Sequence, residues 1–143
     1  MKNALLITLF IFCFASLATS QVRFGAGVTY LNDLGVQARA NIDMENYDLI
    51  PKFSYYIIDN ATSISLELDA AYSIVTIDDE IPIYVFGGPA LYRFSSNGFS
   101  NSDFGFTIGA GVEISRFYGE FKYANLFCDN CDGQTGFAVG YMF

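Results

Sequence analysis

Few side chains in this chain can do chemistry, and histidine is missing altogether. The most promising are charged residues set at two-residue spacing among apolar neighbours: Arg23, Arg39, Lys52, Glu67, Asp69, Glu113, Glu120 and Lys122. Their signs are mixed. On an enclosed face such charges must pair, because a lone buried ion is costly. The set therefore forms either a static network of salt bridges or a narrow polar path for a small ion. Glu113 and Glu120 also have the chemistry of a carboxylate pair for acid–base work. The same spacing suits two structural carboxylates that answer nearby cations. Without histidine there is no Ser–His pair, and no nucleophile sits in a recognisable motif. No catalytic residues are expected, and the chain reads as a non-enzyme.

Cys128-Asp-Asn-Cys131 places two thiols in one loop. In an exported chain that spacing favours a local disulfide. Zinc would need two further soft ligands, and a redox-active thiol would need a helix N-terminus to lower its pKa. The acidic runs Asp78-Asp79-Glu80 and 129–133 lack the spacing of a calcium loop and read as solvated turns. Asn60-Ala-Thr62 matches a glycosylation acceptor that is common by chance. No metal site and no cofactor are expected.

The elements that must position these groups come from residues 21–143. Residues 1–20 read as a cleaved secretory signal: Lys2 begins it, Ala4 to Ala15 form a short apolar stretch, and Ala18-Thr19-Ser20 offers small residues for cleavage before Gln21. Cys13 lies inside the apolar stretch behind Phe10-Ile11-Phe12 and does not look like a lipid-attachment cysteine. Removing the segment leaves six basic and fifteen acidic side chains, a net charge near −9. Such a chain repels a phosphate backbone, so nucleic acid is not an expected partner. The remaining length suits one domain. No later segment has the uninterrupted apolar run that a transmembrane helix needs.

Two-residue alternation runs along almost the whole chain. Val22, Phe24, Ala26, Val28 and Tyr30 alternate with Arg23, Gly25, Gly27 and Thr29. The same pattern recurs over Leu34–Asp43, Leu49–Ile58, Ser63–Ser73, Phe104–Ile114, Phe117–Tyr123 and Gly136–Phe143. Ile81–Phe94 is apolar on both faces and carries Gly87-Gly88-Pro89, where a bulge or kink is expected because proline donates nothing to a ladder. These segments predict eight strands. Parity adds a check, because residues paired across a hairpin share a face. Ile114 and Phe117 fit a two-residue Ser115-Arg116 turn, whereas Tyr30 and Leu34 require an odd-numbered loop or a bulge. Residues 95–102 and 128–134 read as longer loops at one end.

Three features choose between a soluble sheet and a membrane barrel. The polar face carries Gly25, Gly27, Gly35, Gly105, Gly109, Gly111, Gly136 and Gly140. Glycine weakens a solvent-exposed strand but suits a narrow barrel whose interior has room only for packed side chains. The charges on that face can neutralise one another. Tyr30, Tyr72, Tyr123, Tyr141 and Phe143 lie near the ends of the apolar face, where a membrane interface favours aromatic rings. The expected fold is all-β: an eight-stranded antiparallel up-and-down transmembrane β-barrel with its greasy side outward.

The whole segment 21–143 resembles the eight-stranded outer-membrane β-barrel domain family, a porin-like group of Gram-negative bacteria. The resemblance rests on Leu49-Ile-Pro-Lys-Phe-Ser-Tyr-Tyr56, Ile83-Tyr-Val-Phe-Gly-Gly-Pro89, Asp103–Glu113, Phe117-Tyr-Gly-Glu-Phe-Lys-Tyr123 and Gly140-Tyr-Met-Phe143. It implies a cell outer-membrane location, and a barrel-insertion signal in Phe137, Val139, Tyr141 and Phe143 read by the barrel-assembly machinery. It also implies a monomer in contact with outer-membrane lipid and lipopolysaccharide, whose bridging divalent ions the acidic loops have the charge to recruit. The expected role is envelope structure, surface interaction or limited small-solute passage. A lipid-modifying outer-membrane enzyme and a soluble lipocalin-like periplasmic carrier are the alternatives, and the carrier would invert the two faces.

Overall fold

The computed structural model describes residues 21–78, 80–128 and 132–143. Eight antiparallel strands close into a single barrel: β1 (Val22–Leu31), β2 (Asp33–Asp43), β3 (Asp48–Ile58), β4 (Ala61–Ile77), β5 (Ile81–Ser96), β6 (Phe99–Ile114), β7 (Phe117–Leu126) and β8 (Gln134–Met142). Each strand pairs with its sequence neighbours, and β8 returns to β1 through pairs such as Gly27 with Gly140 and Val28 with Val139. Closure leaves no strand edge without a partner, which is how a sheet removes its unpaired backbone groups. No helix of the described residues is long and apolar enough to cross a membrane.

Both ends of the barrel chain, Val22 and Met142, lie at what we call the near end, with the β2–β3, β4–β5 and β6–β7 links. The far end carries the other four links. Both hairpins close as the parity of their flanking residues requires. Ile114 pairs with Phe117 across Ser115-Arg116, with Ser115 at φ 59°. Tyr30 pairs with Leu34 and Leu31 with Asp33, so the first hairpin turns on Asn32 alone, at φ 63°.

Two expectations about local structure fail. Residues 95–102 are not a long loop: β5 and β6 run on until Ser96 pairs with Phe99. Asn97 and Gly98 make the turn at φ 43° and 85°, the left-handed pair that a tight hairpin favours because its twist matches that of the strands. The β7–β8 link is therefore the one long connection at the far end, and the far end is not generally richer in loops than the near end. Nor does a bulge form at Gly87-Gly88-Pro89. Pairing passes from Glu67–Ala90 to Ala70–Gly87 without a change of register, and the shift occurs instead between Ser73 and Val75. β2–β3 behaves alike around Pro51, skipping from Arg39–Lys52 to Ile42–Leu49 in constant register. Each proline withholds one donor and keeps its other neighbour, Leu68 for Pro51 and Phe106 for Pro89. A missing N–H locally thins the ladder without inserting a residue.

Alternation settles which way the faces point. Phe24, Ile57, Ile108, Phe121 and Val139 are exposed on the outside, whereas Arg39, Lys52, Glu67, Asp69, Glu120 and Lys122 are buried inside. Glycines on the inner face make room for rings. A Cβ on Gly140 would lie 2.5 Å from the Tyr118 hydroxyl, and one on Gly27 would lie 2.6 Å from it. The small residues of β1 and β8 and the large ones of β7 are thus two halves of one fit.

Candidate functional site: the barrel interior

The interior is built by strands that present every second side chain to a common axis. Glu120 of β7 is its hub. It takes Arg39 Nη1 of β2 at 2.5 Å on Oε1 and Lys52 Nζ of β3 at 2.7 Å on Oε2. The Tyr84 hydroxyl donates to Oε1 at 2.8 Å. Lys52 also forms an ion pair with Asp69 Oδ2 at 3.0 Å, and Thr107 donates to Asp69 Oδ1 at 2.6 Å. Rings complete the shell of the cations: the Arg39 guanidinium lies 4.4 Å from the Tyr118 centroid and the Lys52 ammonium 3.9 Å from that of Phe86. Both are within the range of cation–π attraction.

A second cluster lies nearer the far end. Lys122 Nζ meets Glu67 Oε1 at 2.6 Å. The same oxygen accepts from the Ser65 hydroxyl at 3.1 Å and the Tyr92 hydroxyl at 3.3 Å. Gln37 extends the polar interior from Tyr118, accepting from its hydroxyl and donating to Ser54, each at 3.3 Å. Near the other end Arg23 and Glu113 pair by a short contact, with the arginine side chain 45% exposed. The eight charged residues singled out in the sequence all face the interior or its near mouth, four of each sign. These eight side chains balance one another's charge.

Sequence reasoning did not find the aromatic partners. Tyr84, Phe86 and Tyr92 come from β5, whose two faces are both apolar and so conceal which one turns inward. Asn41, the side-chain partner of Arg39 at 2.9 Å, and Thr107 were likewise missed. Their signal was available: both are polar residues in phase with the charges of their own strands.

At the far end the ionic interior stops at an apolar layer of Leu31, Tyr56, Ala90, Tyr92 and Ala124, with Ile58 and Leu126 against it. Beyond this layer a cavity of about 200 Å³ is lined by residues that include Asp33, Tyr56, Ser63, Tyr92, Asp103 and Gln134. At the near end the corresponding space, beside Arg23, Asp48, Tyr84 and Glu113, is only about 50 Å³.

The remaining candidates lie elsewhere. Phe137, Val139 and Phe143 are exposed on the outer surface, where Phe137 stacks on Tyr30 at 5.5 Å and Tyr141 meets Phe117 edge-on at 5.2 Å. Cys128 is described and Cys131 is not, so the expected disulfide reaches outside the described residues, as do the 1–20 segment, Asp79 and 129–131. Among the described residues no group of His, Cys, Asp and Glu is arranged to hold a metal ion.

No family model matches the chain, and no curated protein matches it. Solved structures do. The chain is similar to the N-terminal β-barrel domain of Pseudomonas aeruginosa OprF, with TM-score 0.64 and 18% identity over 87% of this chain and 100% of that one. It is similar to Neisserial surface protein A, with TM-score 0.61 and 14% identity over 85% and 93%. It is also similar to the outer membrane enzyme PagL, with TM-score 0.53 and 16% identity over 86% and 99%. The inward ions, the outward apolar face and these likenesses converge on one architecture: the chain has the fold of the eight-stranded outer-membrane β-barrels.

Proposed function

We propose that the protein is an integral outer-membrane β-barrel that serves the envelope as a structural or surface protein and performs no catalysis. One observation carries this reading: the side chains turned away from the barrel axis are large and apolar around its circumference, while those turned inward are charged and paired. A soluble protein rarely exposes contiguous apolar patches beyond a few hundred Å², and hydrocarbon is the solvent in which such a surface is stable. The soluble-carrier alternative needs Phe106, Ile108 and Val139 in a dry core. They are 38%, 55% and 53% exposed.

In this reading residues 1–20 direct export, the near end faces the periplasm and the far end faces outward. The expected contacts are outer-membrane lipid, lipopolysaccharide and the barrel-assembly machinery, and the protein is a monomer. Limited solute passage is the weaker form of the function, because Asp69 and Lys122 are fully buried in the lumen. A lipid-modifying enzyme is the second reading, favoured by the shared fold with PagL.

Fractionation tests the location. The protein is expected in the outer-membrane fraction, with heat-modifiable gel mobility and labelling of an Asn97→Cys variant on intact cells. Recovery in the soluble periplasmic extract overturns the reading. Unaltered lipid A in an overexpressing strain is expected, and a modified lipid A species moves the assignment to the enzyme. In planar bilayers no steady conductance is expected.

A further inference from the structure

We propose that the edge of β4 at the near end, residues 72–77, is a docking edge that takes one added strand from a periplasmic protein. The docked segment is extended and carries basic residues at its ends. This rests on the outer-membrane reading above, in which the near end faces the periplasm.

The open edge follows from strand lengths. Closure gives every strand two partners, but not along its whole length. β3 starts at Asp48, which pairs with Ala71 of β4. β4 runs on past that pair, accompanied by β5 alone until Ile77 meets Ile81. The register shift between Ser73 and Val75 marks a bulge, and a bulge bends its strand. Among the described residues no backbone hydrogen bond reaches this stretch from the β2–β3 link. Thr76 lies opposite Pro82, which has no N–H to give. The ladder bonds therefore run through the pairs Val75 with Ile83 and Ile77 with Ile81. By alternation the N–H and C=O of Thr76 point to the open side.

The two edges of this ribbon differ. β5 loses its β6 partner beyond Ile83, and there Pro82 removes the outward donor, a common way to blunt an edge. On β4 the run Tyr72-Ser-Ile-Val-Thr-Ile77 has no proline and no charge, and its β-branched residues suit a strand. Tyr72, Ile74, Val75 and Ile77 are all exposed, which sets the edge against the membrane boundary. Beside hydrocarbon an unpaired backbone group finds no water to satisfy it. An added strand supplies the missing partners, and main-chain hydrogen bonds give such additions their affinity.

Charge selects the occupant. Asp78 and Glu80 stand at the tip, and Asp43 and Glu45 lie at the β2–β3 link beside the start of the edge. All four are exposed, and none forms a salt bridge with a described residue. The arginines of this end are engaged elsewhere, Arg23 by Glu113 and Arg116 by the Tyr141 hydroxyl. An incoming strand meets carboxylates at both of its ends, which favours Lys or Arg flanks. A second copy is disfavoured by symmetry. Two copies in one membrane are related by an axis along its normal, whereas an antiparallel ladder between identical edges needs an axis perpendicular to the sheet.

The test uses the barrel refolded in detergent micelles and the labelled peptide Lys-Lys-Val-Thr-Val-Thr-Val-Lys-Lys, read by fluorescence anisotropy. The control is the same peptide N-methylated at every Val and Thr, which cannot complete a ladder. Saturable binding of the first and none of the second is expected. Thr76→Pro, which blunts β4 as Pro82 blunts β5, should weaken binding about tenfold or more, because it withholds a ladder donor. Asp78→Asn with Glu80→Gln should weaken it about threefold and flatten its dependence on salt. Asp103→Asn at the far end should leave it unchanged. Heat-modifiable mobility confirms that each preparation is folded. Asp78→Cys tests the membrane reading separately: labelling is expected only after the outer membrane is permeabilised, and labelling on intact cells ends the periplasmic assignment. Absence of peptide binding, equal binding of the methylated control, undiminished binding by Thr76→Pro, or a barrel dimer that Thr76→Pro disperses overturns the proposal.

Discussion

The two ends of the lumen are built from different materials. Towards the near end ions dominate, set among the buried Ile50, Ala71 and Phe86: Glu120 holds Arg39, Lys52 and Tyr84 at once, and the Arg23–Glu113 pair covers the mouth. Towards the far end charge gives way to rings, and Leu31, Tyr56 and Tyr92 form a layer with a cavity of about 200 Å³ beyond it. The difference teaches where rigidity and accessibility reside. A fully desolvated network has one satisfactory arrangement, because each member left alone is costly. An apolar layer is held by packing, which is not directional. The near half is fixed by paired ions and the far half by packed rings.

Breaking the hub should have the largest effect. Glu120→Ala leaves Arg39 buried without its carboxylate and Lys52 with Asp69 alone, and removal of one partner from a buried pair costs about 3–5 kcal/mol. Urea unfolding of the refolded barrel, followed by heat-modifiable mobility, checks this. A change below 1 kcal/mol would show that the network is not what holds the near half. Gly140→Leu comes next. It drives a side chain into the Ala26 carbonyl oxygen and the Tyr118 ring and should cost about 1–3 kcal/mol as overpacking. A companion Tyr118→Ala substitution should recover only part of the loss, because the Ala26 carbonyl still meets the new Cβ.

At the far end the effects should be smaller. Tyr92→Phe removes a 3.3 Å hydrogen bond to Glu67, whose Oε1 keeps Lys122 and Ser65, and should cost about 0.5–1.5 kcal/mol. The smallest effect belongs to Glu113→Gln. Its partner Arg23 is 45% exposed, so the pair is screened by solvent and contributes about 0–1 kcal/mol. If Tyr92→Phe proves costlier than Glu120→Ala, the comparison between the two halves fails.

Much of this fold can be read without coordinates, for a physical reason visible at individual residues. Ile114 and Phe117 share a face and therefore admit only an even-numbered turn, and Tyr30 and Leu34 only an odd one. Expectation failed where one signal was weighed without its neighbours. The Asn97-Gly98 pair is a strong hairpin signal, hidden inside a polar stretch that resembles a loop. Pro89 looks like a bulge, yet β6 supplies a partner at Phe106 that keeps its register. On β5, apolar on both sides, nothing local distinguishes Tyr84 and Phe86, which turn inward, from Val85, which turns outward.

Outside β5, the amino-acid order by itself determined which side chains face in and which face out, because that choice repeats every two residues and is local to each strand. Which ions meet was decided only in three dimensions. Arg23 finds Glu113 at a separation of 90 residues and Arg39 finds Glu120 at 81. Those meetings depend on the tilt and stagger with which β8 closes on β1, and shear is a property of the whole sheet that no single strand carries.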